Sequence, residues 1–421
     1  MKKILFFGLA ALCAVGCKSE PKPLEEFSLD GPVSPDYYCQ MANGEVYDDA
    51  KAEFDTLSYA LGMNLGISIN VQQADMDLDA DIIAKMLRSE ALNTSIDNKG
   101  INQNRKHLNE FSAERVRPFM MQKRMTAYVE TDQPDTIEQP LLYDDTYRRD
   151  EVSEWFGRDM AEYIRSTQVP VNLTWLMAGY EDSKSIKSVE EIDSLMALTT
   201  TEMRAALDPY FRAELPKKSR EASEAWLAEV ATKPDVQPLV VGADTLYYRI
   251  DEAGGEVKPA DGRDTITMRF EMFTRRGTLV ESTVQRGADR RDEVAKRVEK
   301  LQQDTLIDPA RRDEQIEALN KSVDFAFEPN IMLSRFTVRG AIEALKQVGE
   351  GGRITIWMPS SLAYGPRGNR AVLPNEAIVM SVRLVDVVPY ISTDAAKVTP
   401  KFVEPKEVVP GKPSIKREGV K

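Results

Sequence analysis

Histidine and cysteine, the side chains most used for catalytic triads, thiol chemistry and zinc, are scarce in this chain. It has one histidine, His107, in a polar stretch that suits a solvated side chain, so a histidine-based triad or a zinc site has almost no material to work with. Of the three cysteines, Cys13 and Cys17 fall in a leader-like N-terminus, which leaves Cys39 without an intrachain disulfide partner. The stretch that organises the rest, residues 340–387, contains neither residue type. Whatever it does proceeds without them.

Positioning elements can be read from periodicity. Ala341, Ala344, Leu345 and Val348 have helical spacing, and Gly351-Gly352 break the helix before the strand-like Ile354, Ile356 and Met358. A loop at 360–374 leads to a second alternating run, Ile378, Met380, Val382 and Leu384. Upstream, from Asp244, TLYYRI (245–250) and DTITMRFEMF (264–273) alternate, and RRGT (275–278) supplies a turn before LVEST (279–283). The composite is an α+β domain over 236–391, an antiparallel sheet wrapped on a short helix. Residues 284–325 read as an inserted, charged helical pair with Val294, Val298, Leu301, Ile307, Ile316 and Leu319 at near-helical intervals. The insertion is either a solvated decoration or an element that holds or gates a client beside the sheet.

The other half is helical. At 421 residues the chain has room for two or three domains, and 55 basic against 68 acidic residues (net charge -13) argue against nucleic acid as a partner. Two segments repeat: DTLSYALGMNLG (55–66) and DEVSEWFGRDMA (150–161) place Ser58 and Gly62 95 positions before Ser153 and Gly157, and Leu78 stands 95 before Leu173 in the helix that follows each. This predicts tandem helical repeats over 50–145 and 146–235, the second ending in a long linker helix, with Pro118, Pro209 and Pro216 marking breaks or kinks. Residues 18–49, interrupted by four prolines, read as a flexible tether, and 392–421 as a disordered tail.

Three resemblances give these elements a role. LAYG (362–365) and VLPN (372–375) resemble the signature of FKBP-type peptidyl-prolyl isomerases. SYALGMNLG (58–66) resembles the dimerisation segment of the macrophage infectivity potentiator group of that family, and EAWLAEVATKPDVQPL (224–239) resembles its linker. Residues 1–17, with Lys2 and Lys3 before a short apolar run ending in Gly16-Cys17, resemble a bacterial lipoprotein leader with Cys17 as the lipidated residue. The implied protein sits in the bacterial cell envelope on a lipid anchor. Because two dimerisation-like segments share one chain, either a monomeric pseudo-dimer or a homodimer is implied.

The resemblance also assigns a site and a reaction. The barrier to peptide rotation, about 18–20 kcal/mol, falls if a protein binds the twisted Xaa-Pro amide more tightly than either planar form, which requires neither nucleophile nor cofactor. By resemblance, Phe270, Glu281, Val338 and Tyr364 are catalytic residues, and Val280, Ala341, Val372 and Met380 bind substrate. Phe270, Glu281 and Met380 stand where the family has tyrosine, aspartate and phenylalanine; Ala341 and Val280 replace a tryptophan of the pocket floor and a phenylalanine of its wall. Losing two rings is expected to open the pocket. Proline-containing polypeptides are the implied partners, turned over by an isomerase or only held by a degenerate FKBP-fold chaperone or scaffold.

Overall fold

The structure, a computed structural model, describes residues 24–29, 45–128 and 141–391. The leader with Cys17, residue Cys39, most of the 18–49 segment and the 392–421 tail lie outside the described residues.

In the helical half the repeats are α1 (Thr56–Ile67) with α2 (Ala80–Ala91), and, after α3 (Asn98–Phe111) and α4 (Arg117–Tyr128), α5 (Arg149–Ser166) with α6 (Leu173–Ser183). A short α7 (Ile192–Leu195) precedes α8 (Thr200–Pro209) and the linker helix α9 (Leu215–Val230). The two-residue strands β1 (Val46–Tyr47) and β2 (Val171–Asn172) pair in parallel and tie the entry to α1 to the start of α6.

Pairing between the copies is crosswise: α1 packs on α6, and α2 packs on α5. Leu61, Leu65, Ile83 and Leu87 of the first copy share one buried core with Met160, Ile164, Leu173, Leu176 and Tyr180 of the second. Small residues permit this approach. A Cβ on Gly62 would run into the carbonyl of Leu176, one on Gly179 into that of Tyr59, and one on Gly157 would stand 2.6 Å from the Cβ of Met86. Ser58 Oγ accepts from the backbone N–H of Asn172, the N-cap of α6, at 2.9 Å, and Ser153 Oγ accepts from that of Asp79, the N-cap of α2, at 2.8 Å. The two serines thus do the same work in opposite directions, as a pseudo-two-fold requires.

Leu78 and Leu173 are not equivalent, however. Leu173 opens α6, whereas Leu78 precedes the N-cap of α2, because the first copy spends extra residues on a π turn (Ser68–Gln72) and a 3-10 turn (Ala74–Met76). The likeness between the copies also runs farther than two helices. Both α3–α4 and α8–α9 are interrupted by a five-residue π turn, at Ser112–Val116 and Tyr210–Glu214. Pro118 and Pro216 are the second residues after it; each lacks an N–H to bond back along the continuous helix, and the wider turn stands just before that missing bond.

The second half is a seven-stranded sheet. Its strands are β3 (Gln237–Val241), β4 (Asp244–Glu252), β5 (Thr265–Thr274), β6 (Leu279–Ser282), β7 (Asn330–Met332), β8 (Arg353–Met358) and β9 (Ile378–Val388), in the order β3-β4-β8-β9-β5-β6, all antiparallel, with β7 also on β5. Between β6 and β7 the chain forms α10 (Thr283–Gln303) and α11 (Pro309–Phe327), so the helical pair interrupts an edge: β6 and β7 cover the two ends of β5. The short α12 (Arg339–Leu345) packs into the inner face, and α9 lays Trp226, Leu227 and Val230 on the outer face against Phe273, Trp357 and Val379.

At residues 24–29 the tether reading fails. Leu24–Phe27 form a 3-10 turn, and the buried Phe27 ring stacks on Phe327 at 3.8 Å between ring centroids. The reason lies in the insertion: Val294, Val323 and Phe327 form a cluster that Phe27 completes. The insertion therefore has a small core of its own.

The crosswise serines make a paired test. Ser58→Ala leaves the buried backbone N–H of Asn172 unpaired and should cost about 1–3 kcal/mol in urea denaturation, whereas Ser153→Ala, whose partner N–H at Asp79 is only part-buried, should cost less.

Candidate functional site

The inner face of the sheet and α12 pack together as an apolar bowl of buried side chains. Alternation along β5 points Phe270 and Met272 inward, and they are buried with Val338, Ala341, Val372 and Met380 in one cluster, with Val280, Phe336 and Tyr364 half-buried at its margin. The Phe270 and Phe336 rings meet edge to face, 5.6 Å apart at 77°. Seven of the eight sequence-assigned residues thus meet in one apolar cluster, and the eighth, Glu281, is polar and follows Val280 on β6.

Tyr364 places a hydroxyl at the bowl's margin. It donates to Met272 Sδ at 3.4 Å, a weak acceptor that a ligand carbonyl can replace. Burial, and then the negative charge of Glu281, push its pKa up to about 12, so it stays a neutral donor. Glu281 is held in turn by the insertion: Arg286 Nη1 of α10 lies 2.6 Å from its carboxylate.

The loop that brings Val372 to the bowl is clamped from three sides. Arg276 and Glu376, both essentially excluded from solvent, pair through Nε–Oε1 at 2.7 Å and Nη2–Oε2 at 3.1 Å, and Glu376 Oε2 also accepts from Leu373 N–H at 2.8 Å. Leu373 enters the joint core of the helical repeats, and Asn375 Nδ2 donates to the Pro216 carbonyl on α9. Removing one partner of such a buried pair typically costs about 3–5 kcal/mol, and the contacts of Leu373 and Asn375 make the bowl's lip depend on both halves of the molecule.

Two expectations need correction. The pocket floor is not open at Ala341: this residue is fully buried in a cluster that includes Met268, Met272, Met358 and Met380, with Met358 and Leu362 against the adjoining Gly340. Flexible thioethers occupy an apolar region that a ring would otherwise fill. Trp357 takes no part, since its alternation places it under α9 on the other face. His107 is also not merely solvated: it is half-buried, its ring 4.7 Å from that of Trp155. Among the described residues no group of three or more His, Cys, Asp or Glu could hold a metal.

Met272 and Phe336 were missed by sequence reasoning. Met272 had a signal, since period two places it with Phe270 on one face; Phe336 had none beyond being an aromatic residue two positions before Val338. Also missed was α3, which faces the site. Together with β6 and α10 it bounds a groove of about 570 Å³ onto which Val280 and Glu281 open.

A family model described as the domain amino terminal to FKBP-type peptidyl-prolyl isomerase matches residues 149–250. The outer membrane protein MIP of Legionella longbeachae is 24% identical over 253 residues, covering 58% of this chain and 87% of that protein. The FKBP-type peptidyl-prolyl cis-trans isomerase FkpA of Escherichia coli K12 is 28% identical over 252 residues, covering 57% and 74%. This chain is similar to the FKBP-type isomerases of the Mip and FkpA group. The crystal structure of E. coli FkpA aligns over 58% of this chain and 98% of its own at 20% identity, with a TM-score of 0.31. The matched residues 149–250 take in α5 to α9 and reach into β4, so the first copy lies outside the family match and the FKBP-like half follows the second.

Tyr364 gives the FKBP-like half an alkaline signature. Its folded pKa lies above the unfolded value near 10, so the stability it contributes is complete below pH 10 and is lost as pH rises from 10 towards 12. In urea denaturation at pH 7, 10 and 11, Tyr364→Phe should lose less stability between pH 10 and 11 than the parent chain.

Proposed function

We propose that this chain is a lipid-anchored envelope peptidyl-prolyl isomerase that assists the folding of exported proteins. The observation that carries the reading is the convergence of Phe270, Val338, Val372 and Met380 on one apolar bowl with the neutral Tyr364 hydroxyl at its margin. A prolyl ring seated there is removed from water, which disfavours the charge-separated planar amide relative to the twisted one. Tyr364 then exchanges its sulfur acceptor for a substrate carbonyl, and the methionine-rich lining adapts to the ring. Ala341 acts as packed floor in this reading, and Val280 and Glu281 form the rim towards the groove.

Anchoring rests on the leader pattern ending at Cys17. No helix among the described residues is long and apolar enough to cross a membrane. Phe27 follows Cys17 by ten residues, which reach at most about 35 Å when fully extended. A lipidated Cys17 would therefore keep the docked insertion close to the bilayer. The crosswise core supports a monomeric pseudo-dimer, since each copy's apolar face finds its partner within the same chain.

One observation favours a second reading, a binding scaffold without turnover. Val280 leaves the wall without a ring and opens on a groove. Exchange-detected cis/trans isomerisation of a short Xaa-Pro peptide separates the two, using the whole mature chain because α9 covers the outer face of the sheet. The isomerase reading expects acceleration, reduced about tenfold in Tyr364→Phe, equivalent to about 1.4 kcal/mol of transition-state stabilisation. No acceleration by the parent chain would leave the scaffold.

A further inference from the structure

The groove beside the bowl has a floor made of strand edge. β6 ends the sheet order and pairs on one side only, with β5, and all four of its residues line the groove. Across from it stands α3, and α10 closes the third side. An unpaired strand edge presents backbone donors and acceptors to any extended chain that comes alongside. Natural proteins usually cover such an edge or shorten it; here it is short and left beside an open groove.

At one end the edge already has an amide partner. Asn98, in the first turn of α3, donates from Nδ2 to the carbonyl of Gly277 at 2.7 Å and accepts at Oδ1 from the N–H of Leu279 at 2.9 Å. Its carboxamide thus bonds to backbone as one peptide unit of a neighbouring strand would, at the point where β6 begins. Beyond Asn98 the walls carry Asn102, Asn109 and Gln285, side chains that both donate and accept and so can meet peptide backbone, among charged residues largely paired with one another, as Glu281 with Arg286 and Arg290 with Glu293. Lys106, bound to Asp289 at 3.0 Å and Asp292 at 3.3 Å, braces α3 to α10 across the groove.

We propose that the groove receives an extended segment of an unfolded polypeptide, which adds to the free edge of β6 while a neighbouring proline reaches the apolar bowl. This rests on the reading of the bowl as a prolyl site and extends it: Val280 and Glu281 belong to both surfaces, so one continuous chain passes from rim to groove. Main-chain pairing supplies affinity without sequence preference, as strand addition does elsewhere. The arrangement explains why α3 and an inserted helix, neither part of the sheet, are held against the same edge. It also assigns the insertion a task, as one wall of a client groove.

The test fills the groove from two exposed wall positions, Asn109→Trp and Gln285→Trp, in the whole mature chain, with circular dichroism confirming the fold of each. Binding is read by fluorescence anisotropy of labelled, reduced and carboxymethylated α-lactalbumin, which stays unfolded, and prolyl isomerisation on a tetrapeptide too short to occupy the groove. The proposal expects the dissociation constant for the unfolded protein to rise at least fivefold in both variants, with the tetrapeptide rate within twofold of the parent. An unchanged dissociation constant in both would overturn it, as would an equal fall in tetrapeptide rate and affinity, which would make the groove part of the bowl. If the parent chain shows no tetrapeptide isomerisation, the isomerase reading fails by itself, and the binding comparison still decides the groove.

Discussion

Everything in this molecule depends on how its short helical units bury faces they cannot bury alone. A helix of the length of α1 or α2 is marginal in isolation, and an apolar face is what fixes it in a fold. The two copies settle this crosswise, and the approach is close enough that Gly62, Gly157 and Gly179 have no room for a side chain. The outcome is a single core with a pseudo-two-fold axis inside one chain. Its two long arms, α3–α4 and α8–α9, leave that core in equivalent fashion, each through a π turn followed by a proline.

Both arms touch the FKBP-like half, but in different ways. The second arm delivers α9 to the outer face of the sheet, where Trp226 and Trp357 share an apolar cluster. The first arm touches the β5–β6 turn through Asn98 and the insertion through Lys106. The lip of the bowl belongs to both halves as well, since Leu373 sits in the helical core and Glu376 in the sheet's buried ion pair. Displacing the helical platform would therefore move Val372.

Much of this was legible in the chain. The period-two alternation of β5, β8 and β9, the Gly351-Gly352 break and the charged helical insertion follow local rules that hold whatever the surroundings. The eight assigned site residues came from short words such as LAYG and VLPN, and the structure brings seven of them into one cluster. What could not be read were relations between distant segments. Nothing local in Phe27 shows that it will close a cluster about three hundred residues away, because the gap it fills exists only once α10 and α11 have paired. The closed floor at Ala341 depended on methionines from β5, β8 and β9 converging, which composition cannot reveal. Likewise a fixed 95-residue offset ignored the extra turns before α2, which keep the pairing while shifting the numbering.

One chain is proposed to supply both halves of the helical core, which the resemblance to the macrophage infectivity potentiator group implies would otherwise come from two chains. Sedimentation equilibrium on the mature chain without its lipid, from micromolar down to nanomolar concentration, tests this most directly. A mass of one chain throughout is the predicted result. A stable mass of two chains at the lowest concentration, dissociating only on unfolding, would mean that the copies exchange between subunits and would contradict it.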